Sequence, residues 1–101
     1  MSDLLADVRA YSERQFQAQV TELATLRNWV WYHTHDSRRS PAGFPDLVLV
    51  RGRRLVFAEL KRERGRLTKE QEQWLRTLQA TDAEVYVWRP SDWPQVQETL
   101  W

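Results

Sequence analysis

Residues 43–61, GFPDLVLVRGRRLVFAELK, constrain the fold of this 101-residue chain more than any other stretch. Two runs of β-branched, aliphatic and aromatic residues, at about 45–51 and 54–60, flank the pair Gly52-Arg53. Glycine at the first of two central turn positions favours a type II′ hairpin. Apolar residues occupy both alternating sets of positions in each run, which is typical of strands covered on both faces. We therefore predict two neighbouring strands at the centre of a sheet.

The two-residue turn also predicts which residues oppose each other across the hairpin. If Arg51 faces Arg54, the same register places Asp46 opposite Glu59. Directly opposed residues have Cβ atoms about 4.5–5.5 Å apart and point to the same face of the sheet. Lys61, two residues beyond Glu59, shares that face. The hairpin thus brings two carboxylates and one ammonium group together.

Two opposed acids at the end of central strands repel each other and lose solvation. One interpretation is an ion-pair cluster in which Lys61 or an arginine balances their charge. The other, which we favour, is a hard divalent cation held by the carboxylates and a nearby backbone carbonyl. Zinc is not expected, because the chain has no cysteine and only two histidines, His33 and His35.

Capping patterns and periodicity predict the elements around the hairpin. Ser12 with Gln15, and Thr68 with Gln71, match the capping box that opens a helix. The expected elements are helices at about 12–29, 67–80 and 92–101 and strands at 29–34 and 83–88. Together with the hairpin they give an α/β fold of order αβββαβ with a C-terminal helix, in which helices flank a central mixed sheet.

Composition indicates one globular domain over residues 1–101, with 1–11 as a short helix or a loose extension. Hydrophobic residues make up 42% and charged residues 29% of the chain. The lack of cysteine fits a reducing cytosol, and neither a signal peptide nor an apolar run of about 18 residues is evident. We expect a cytoplasmic protein that does not associate with membranes.

Positive charge is concentrated in residues 38–69, which hold ten Lys or Arg and three acids, a net charge of +7. The rest of the chain holds five basic and eleven acidic residues, a net charge of −6. Such a block suits a phosphate-binding surface. A solvated charged face would give the same pattern.

Three polar helix residues are candidates to support the two acids. At about 100° per residue, Glu13 falls in the middle of the apolar stripe of the first helix, and Gln17 lies close by on the same face. Glu13 either joins the acids at the sheet end or, favoured by the helix dipole in the first turn, turns to solvent. Gln71 either reaches into the site or only caps its own helix at Thr68.

These motifs resemble a known family. Pro45-Asp46 followed by Glu59-Leu60-Lys61 resembles the PD-(D/E)xK nuclease motif. HTHDSRRSPAGFPDLVLV, FAELKRERGRLTKEQEQWL and EVYVWRPSDW together resemble the stand-alone VRR-NUC (virus-type replication-repair nuclease) domains of bacteriophages and bacteria. The resemblance runs from about Glu13 to the C-terminus. It implies a restriction-endonuclease-like core, and a protein encoded by a bacterium or a phage.

The resemblance implies an endodeoxyribonuclease that depends on Mg²⁺ or Mn²⁺. Asp46 and Glu59 match metal ligands, helped by the backbone carbonyl of Leu60, and Lys61 matches the residue that orients water or stabilises charge. A first-helix acid, placed at Glu13, completes the site directly or through water. Small family members resemble Holliday-junction resolvases and act as homodimers on branched DNA. The alternatives are a nicking or restriction-type enzyme acting on duplex DNA, and a catalytically silent DNA-binding module.

The loop before Asp46 and the segment after Lys61 are expected to contact backbone phosphates, although some of their arginines could serve only solubility. These predicted contacts are Ser37, Arg38, Arg39, Ser40, Arg62, Arg64 and Arg66. Of the six tryptophans, Trp74 and Trp93 fall on helix stripes and are expected in the core. Base stacking is the alternative role for any of them.

Overall fold

The computed structural model describes residues 10–35 and 39–101, and its elements follow the predicted order. Most of the expected N-terminal helix or extension lies outside the described residues. The helices are α1 (Glu13–Leu26), α2 (Lys69–Gln79) and α3 (Trp93–Leu100), and a 3₁₀ turn (Pro90–Asp92) precedes α3. The strands are β1 (Val30–His33), β2 (Leu47–Arg51), β3 (Arg54–Leu60) and β4 (Glu84–Trp88). Within the described part of the chain, no helix has both the length and the apolar character to cross a bilayer.

The four strands form one mixed sheet in the order β1-β2-β3-β4. β2 pairs antiparallel with β1 and β3, and β3 pairs parallel with β4. Arg51 pairs with Arg54 and Leu47 with Ala58, which is the predicted register. Gly52 has a φ of +60°, and Asn28 is the one non-glycine residue with a positive φ among those described. A positive φ at the first turn position alone is the type II′ geometry predicted.

Both predicted capping boxes form. In α1 the Ser12 hydroxyl accepts from the Gln15 N–H at 3.0 Å, while the Gln15 side chain accepts from the Ser12 N–H at 2.9 Å. α1 ends earlier than the predicted boundary near residue 29, because Asn28 turns the chain with a φ of +66°. Trp29 therefore lies between α1 and β1, and its indole N–H donates to the Leu100 carbonyl at 2.9 Å.

The core lies on one face of the sheet, between the strands and the pair α1 and α3. Its buried side chains are Phe16, Val20, Ala24, Trp29, Leu47, Leu49, Val56, Ala58, Leu60, Trp88, Val96 and Leu100. The prediction that both faces are covered is only partly right. On the second face Trp74 of α2 contacts Phe44, which contacts Phe57, but Val50 and Leu55 remain 40% and 38% exposed. A single helix of 11 residues is too short to cover the whole face.

Part of the basic block has a structural role rather than a phosphate-binding one. The guanidinium groups of Arg51 and Arg54 lie over the Trp29 ring, 4.5 and 4.9 Å from its centroid. Arg51 donates to the Leu100 carbonyl at 3.1 Å, and Arg54 forms an ion pair with Glu84 at 2.7 Å. These cations therefore hold the last turn of α3 and the strand β4 against the hairpin.

Gly43 is the point at which the loop before β2 touches the N-terminus of α2. Its φ is +99°, and a Cβ there would lie 2.5 Å from the Glu70 carbonyl carbon and 2.8 Å from the Gln71 nitrogen. Gly52 also has a positive φ, but a Cβ there would meet nothing within 4 Å. Substitution at Gly52 would therefore cause backbone strain alone, whereas substitution at Gly43 would cause strain and a steric clash.

We expect Gly43→Ala to lower the free energy of unfolding by roughly 2–4 kcal/mol, because backbone atoms of a helix cannot move aside cheaply. Gly52→Ala should cost only about 1–2 kcal/mol, the price of a left-handed conformation alone. Urea unfolding of both variants measures the difference. Equal losses would contradict the close approach of the loop to α2.

Candidate active site

The two acids of the hairpin lie at one end of the strands, where β1 and β3 finish and β2 begins. One step beyond the last ladder pairs, the Thr34 N–H donates to the Asp46 carbonyl at 2.8 Å, so Thr34 lies opposite Asp46. The β2–β3 register places Glu59 on the other side of Asp46. Thr34, Asp46 and Glu59 therefore form one row across three strands on one face of the sheet.

Asp46 is held by the backbone around it. Pro45 has no N–H to give to the sheet, and its carbonyl accepts from the Thr34 hydroxyl at 2.7 Å. The Asp46 Oδ2 atom accepts from the Leu60 N–H at 2.7 Å. This bond ties the start of β2 to the end of β3 and orients the carboxylate between the two strands.

Glu59 is the most unusual group in the described part of the chain. Its side chain is 2% exposed; Oε1 accepts from the Gln71 amide, while Oε2 is buried without a hydrogen-bond partner among the described residues. Burial, followed by the neighbouring Asp46 carboxyl group, raises the pKa of Glu59 to about 9. Glu13 adds to the rise and the Lys61 charge opposes it. Without a cation, Glu59 is therefore protonated at neutral pH.

Lys61 is 8% exposed and follows directly after β3. Its backbone N–H donates to the Trp88 carbonyl at 3.0 Å, which extends the β3–β4 pairing by one residue and fixes the position of its Cα. Its charge lowers the pKa of Glu59, so the ammonium group acts on the same site. No ion pair within 4 Å joins Lys61 to either acid in the part of the chain that is described.

The donor set of the site suits a hard cation. Residues 10–35 and 39–101 contain no ready cluster of three or more His, Cys, Asp or Glu side chains. They do contain two adjacent carboxylates, one of which has a buried oxygen without a partner. Ca²⁺ and Mg²⁺ take oxygen ligands and complete their shells with carbonyls and water. The residues present therefore fit a divalent cation bound by Asp46 and Glu59.

A cavity of about 1160 Å³ lies against Asp46, whereas Glu59 is buried behind it and does not line the cavity. Side chains from α1, the end of β1, the loop 40–44 and α2 form its walls. They are Glu13, Arg14, Gln17, Tyr32, His33, Thr34, His35, Ser40, Pro41, Ala42, Phe44, Gln71 and Trp74, with Asp46 and Leu60 also lining it.

Glu13 lies on the apolar stripe of the α1 helical wheel, but its side chain is not part of the core. The buried positions of α1 are Phe16, Val20 and Ala24, while the Glu13 side chain is exposed and lines the cavity. The first turn of α1 lies at the edge of the sheet, so a residue there reaches the site rather than the core. Gln17, one turn later, is half-buried and lines the same cavity.

Gln71 fulfils both of the roles proposed for it. Its Oε1 accepts from the Thr68 N–H at 2.9 Å, which closes the capping box of α2. Its Nε2 donates to Glu59 Oε1 at 3.2 Å. The start of α2 and the orientation of Glu59 therefore depend on one side chain.

The predicted phosphate contacts divide into three groups. Ser37 and Arg38 lie outside the described residues. Ser40 lines the cavity, and Arg39 precedes it with an exposed side chain. Arg62 and Arg64 border a separate depression of about 330 Å³, and Arg66 is exposed beyond it.

Several cavity residues were missed by sequence reasoning, notably Arg14, Tyr32 and Phe44. Arg14 carried one signal, because a cation in the first turn of a helix opposes the helix dipole. Tyr32 carried another, since it alternates with Thr34 along β1 and so shares the face of Asp46. Phe44 carried none, because the loop before β2 has no periodicity.

The model of the VRR-NUC domain family matches residues 6–92 of this chain. The chain belongs to the VRR-NUC family. VRR-NUC is a PD-(D/E)xK nuclease-like domain, which implies a nuclease that acts on DNA, and this class generally uses a divalent metal. The match ends before α3, although Val96 and Leu100 of α3 complete the core. Neither the curated proteins nor the solved structures contain a match to this chain.

The raised pKa of Glu59 predicts how stability depends on pH in the absence of metal. The folded value of about 9 exceeds the unfolded value of about 4.3. The contribution of Glu59 is therefore fully present below pH 4.3 and declines as pH rises towards 9. Stability changes by about 1.4 kcal/mol per pH unit when only the folded form holds the proton. We therefore expect Glu59→Gln to raise the free energy of unfolding more at pH 8 than at pH 5, by up to about 4 kcal/mol.

Urea unfolding in EDTA at both pH values measures this difference. Glu22→Gln, which changes an exposed acid of α1, is the matched control and should show no such pH dependence. If Glu59→Gln and Glu22→Gln behave alike, Glu59 is not protonated in the folded protein.

The two capping boxes allow the dual role of Gln71 to be tested. Glutamate also serves at this position of a capping box, so Gln71→Glu keeps the cap but removes the donor to Glu59 and adds a negative charge. We expect it to destabilise the metal-free protein by roughly 1–2 kcal/mol at pH 8. Gln15→Glu, in the equivalent position of α1, should change stability by less than about 0.5 kcal/mol. Equal effects in thermal and urea unfolding would mean that the contact with Glu59 is unimportant.

Proposed function

We propose that this VRR-NUC domain is a structure-selective DNA endonuclease that uses Mg²⁺ or Mn²⁺ and resolves four-way junctions as a homodimer. The observation that carries the proposal is the buried Glu59 beside Asp46, with one carboxylate oxygen unpartnered in the described part of the chain. An acid so placed costs stability unless a cation compensates it. A role in binding that cation accounts for its presence.

Asp46 and Glu59 would hold the cation, with the carbonyl of Leu60 as a further ligand. Glu13, exposed at the cavity wall, would contribute directly or through a water molecule. A bound divalent cation supplies a Lewis acid that activates water and neutralises charge on the phosphoryl group. No side chain needs to act as a nucleophile.

Lys61 and Gln71 support this chemistry. Lys61 is 8% exposed, and its positive charge lowers the pKa of Glu59, so the ammonium group acts electrostatically on the acids. It can donate to the attacking water or to a non-bridging phosphate oxygen as negative charge develops. Gln71 keeps the Glu59 carboxylate in one orientation through its 3.2 Å contact, and Gln17 would assist from the adjacent wall.

The proposed path of the DNA is supported by the polar and basic residues described around the cavity. Ser40 in its wall and Arg39 beside it would contact phosphates close to the cut, together with Ser37 and Arg38. Arg62, Arg64 and Arg66 would extend the contact beyond Lys61. Such contacts position DNA without reading its sequence, which favours recognition of shape.

The homodimer is proposed because the molecule is small. Its longest dimension is 43 Å and it has one candidate site in the described residues. Symmetric cutting of two strands of a junction requires two sites related by a two-fold axis. Two copies of the chain would provide them.

Cleavage assays test this proposal with a labelled four-way junction, a linear duplex of the same sequence and a single strand. In Mg²⁺ or Mn²⁺ we expect paired symmetric cuts on the junction, and no cleavage in EDTA. Lys61→Ala should lower the rate by about 100-fold or more, the usual cost of losing a charge-stabilising group. Lys69→Ala, which removes an exposed lysine of α2, should stay within about twofold of the unaltered protein.

Other outcomes point to the alternatives. Equal cutting of junction and duplex would replace the resolvase proposal by a nicking or restriction-type enzyme. Binding without cleavage in either metal would reject the nuclease proposal in favour of a silent DNA-binding module.

A further inference from the structure

The sheet face that carries the two acids continues beyond them in two further rows of side chains. Behind the row of Thr34, Asp46 and Glu59, the strand registers place a second row formed by Tyr32, Val48 and Phe57. Successive rows on one face are about 6.6–6.8 Å apart along the strands. The second row is therefore within reach of a nucleotide whose phosphate lies at the acids.

Tyr32 is the open end of that second row. Farther along the row, Phe57 pairs with Val85 of β4 and is covered by Phe44, whereas Tyr32 is 61% exposed and lines the cavity. No hydrogen bond or ring contact involves the Tyr32 side chain within the part of the chain that the structure describes. The neighbouring Trp31 points to the opposite face, where its indole N–H donates to Thr25. Tyr32 thus offers a bare aromatic surface to the cavity.

The cavity is large enough for a nucleotide to lie on this surface. Its volume of about 1160 Å³ exceeds the roughly 300–1,000 Å³ of pockets that enclose drug-sized ligands. Phe44 and Trp74, in edge-to-face contact at 5.1 Å, contribute aromatic rings to the same cavity. A base could therefore enter beside the scissile phosphate.

We propose that Tyr32 stacks on an unpaired base next to the scissile phosphate and so makes the site selective for DNA whose strand has left the duplex. Exposed aromatic residues on sheet surfaces bind single-stranded bases in this way. A base within a continuous duplex is already stacked on both faces and would have to be flipped out at a cost. The proposal rests on the proposed nuclease function, because it takes the acids as the position of the scissile phosphate.

A protein partner fits Tyr32 less well than a base does. The third row of this face, Val30, Val50 and Leu55, is aliphatic, exposed and farther from the acids. A second copy of the chain could cover that row without touching the site. A subunit packed over Tyr32 would instead close a wall of the cavity that holds Asp46.

Equilibrium binding tests the proposal without requiring cleavage. Fluorescence anisotropy in Ca²⁺ would give the Kd for a labelled single strand, a fork and a blunt duplex. We expect Tyr32→Ala to weaken binding of the single strand and the fork by about 5- to 100-fold, the usual loss for one stacked base, and binding of the duplex by less than about twofold. Tyr32→Phe, which keeps the ring, and Val30→Ala, which changes the same strand in the third row, should leave all three values nearly unchanged.

A base analogue gives a second readout. We expect 2-aminopurine placed beside the cut position of the fork to be quenched by the unaltered protein and by Tyr32→Phe, but not by Tyr32→Ala. An equal loss of affinity for all three DNAs, or no loss for any, would overturn the proposal. Loss of the dimer in sedimentation of Tyr32→Ala, with unselective loss of binding, would overturn it in favour of a subunit interface.

The experiments distinguish failure of the nuclease proposal from failure of the proposed stacking role of Tyr32. If the protein binds forks through Tyr32 but cleaves no DNA in Mg²⁺ or Mn²⁺, the nuclease proposal fails and the stacking role is supported. If cleavage is normal and Tyr32→Ala binds every DNA as before, the stacking role fails and the nuclease proposal stands.

Discussion

The burial of Glu59 opposite Asp46 is the constraint on which the rest of the structure depends. The Glu59 side chain lies in a central strand and is only 2% exposed. Its carboxyl group loses its solvation, which raises its pKa to about 9. The Gln71 amide donates to Oε1 of Glu59, whereas Oε2 has no hydrogen-bond partner among the described residues. A hydrocarbon side chain at this position would pack without that cost. The strand end is therefore organised for binding rather than for stability.

Neighbouring elements are coupled to this pair through single contacts. Gln71 joins the cap of α2 to Glu59, and Gly43 lets the loop before β2 approach the same helix end without a clash. The Leu60 N–H holds Asp46 across the hairpin. Because each contact belongs both to the fold and to the site, a change that shifts α2 should also disturb the acids. This shared use of contacts explains how a chain of 101 residues supports a buried polar site.

The positive charges of the chain serve two purposes that composition cannot separate. Arg51 and Arg54 lie over Trp29 and bind carbonyls or Glu84 at the end of the molecule away from the acids. Arg62 and Arg64 are exposed beyond Lys61 and remain available to a polyanion. The net charge of residues 38–69 includes both the arginines that make structural contacts and those exposed to solvent. Only the position of each guanidinium group distinguishes a helix-end contact from a candidate phosphate contact.

Local patterns in the sequence determined the elements, the hairpin register and the meeting of Asp46, Glu59 and Lys61. These features depend on interactions between residues close in the chain: a two-residue turn, alternation along strands and capping boxes of four residues. The family resemblance was confirmed over most of the chain. The helical wheel of α1 left open whether Glu13 reaches the acids or solvent, because a wheel gives the direction of a side chain but not where the helix ends relative to the sheet; in the fold Glu13 is exposed and lines the cavity. Tertiary structure alone decided that α2 leaves part of one face open, that Gln71 bridges cap and site, and that the Tyr32 side chain is 61% exposed in the wall of the cavity that holds Asp46. Each of these depends on how far one packed element extends over another, a distance that no local pattern encodes.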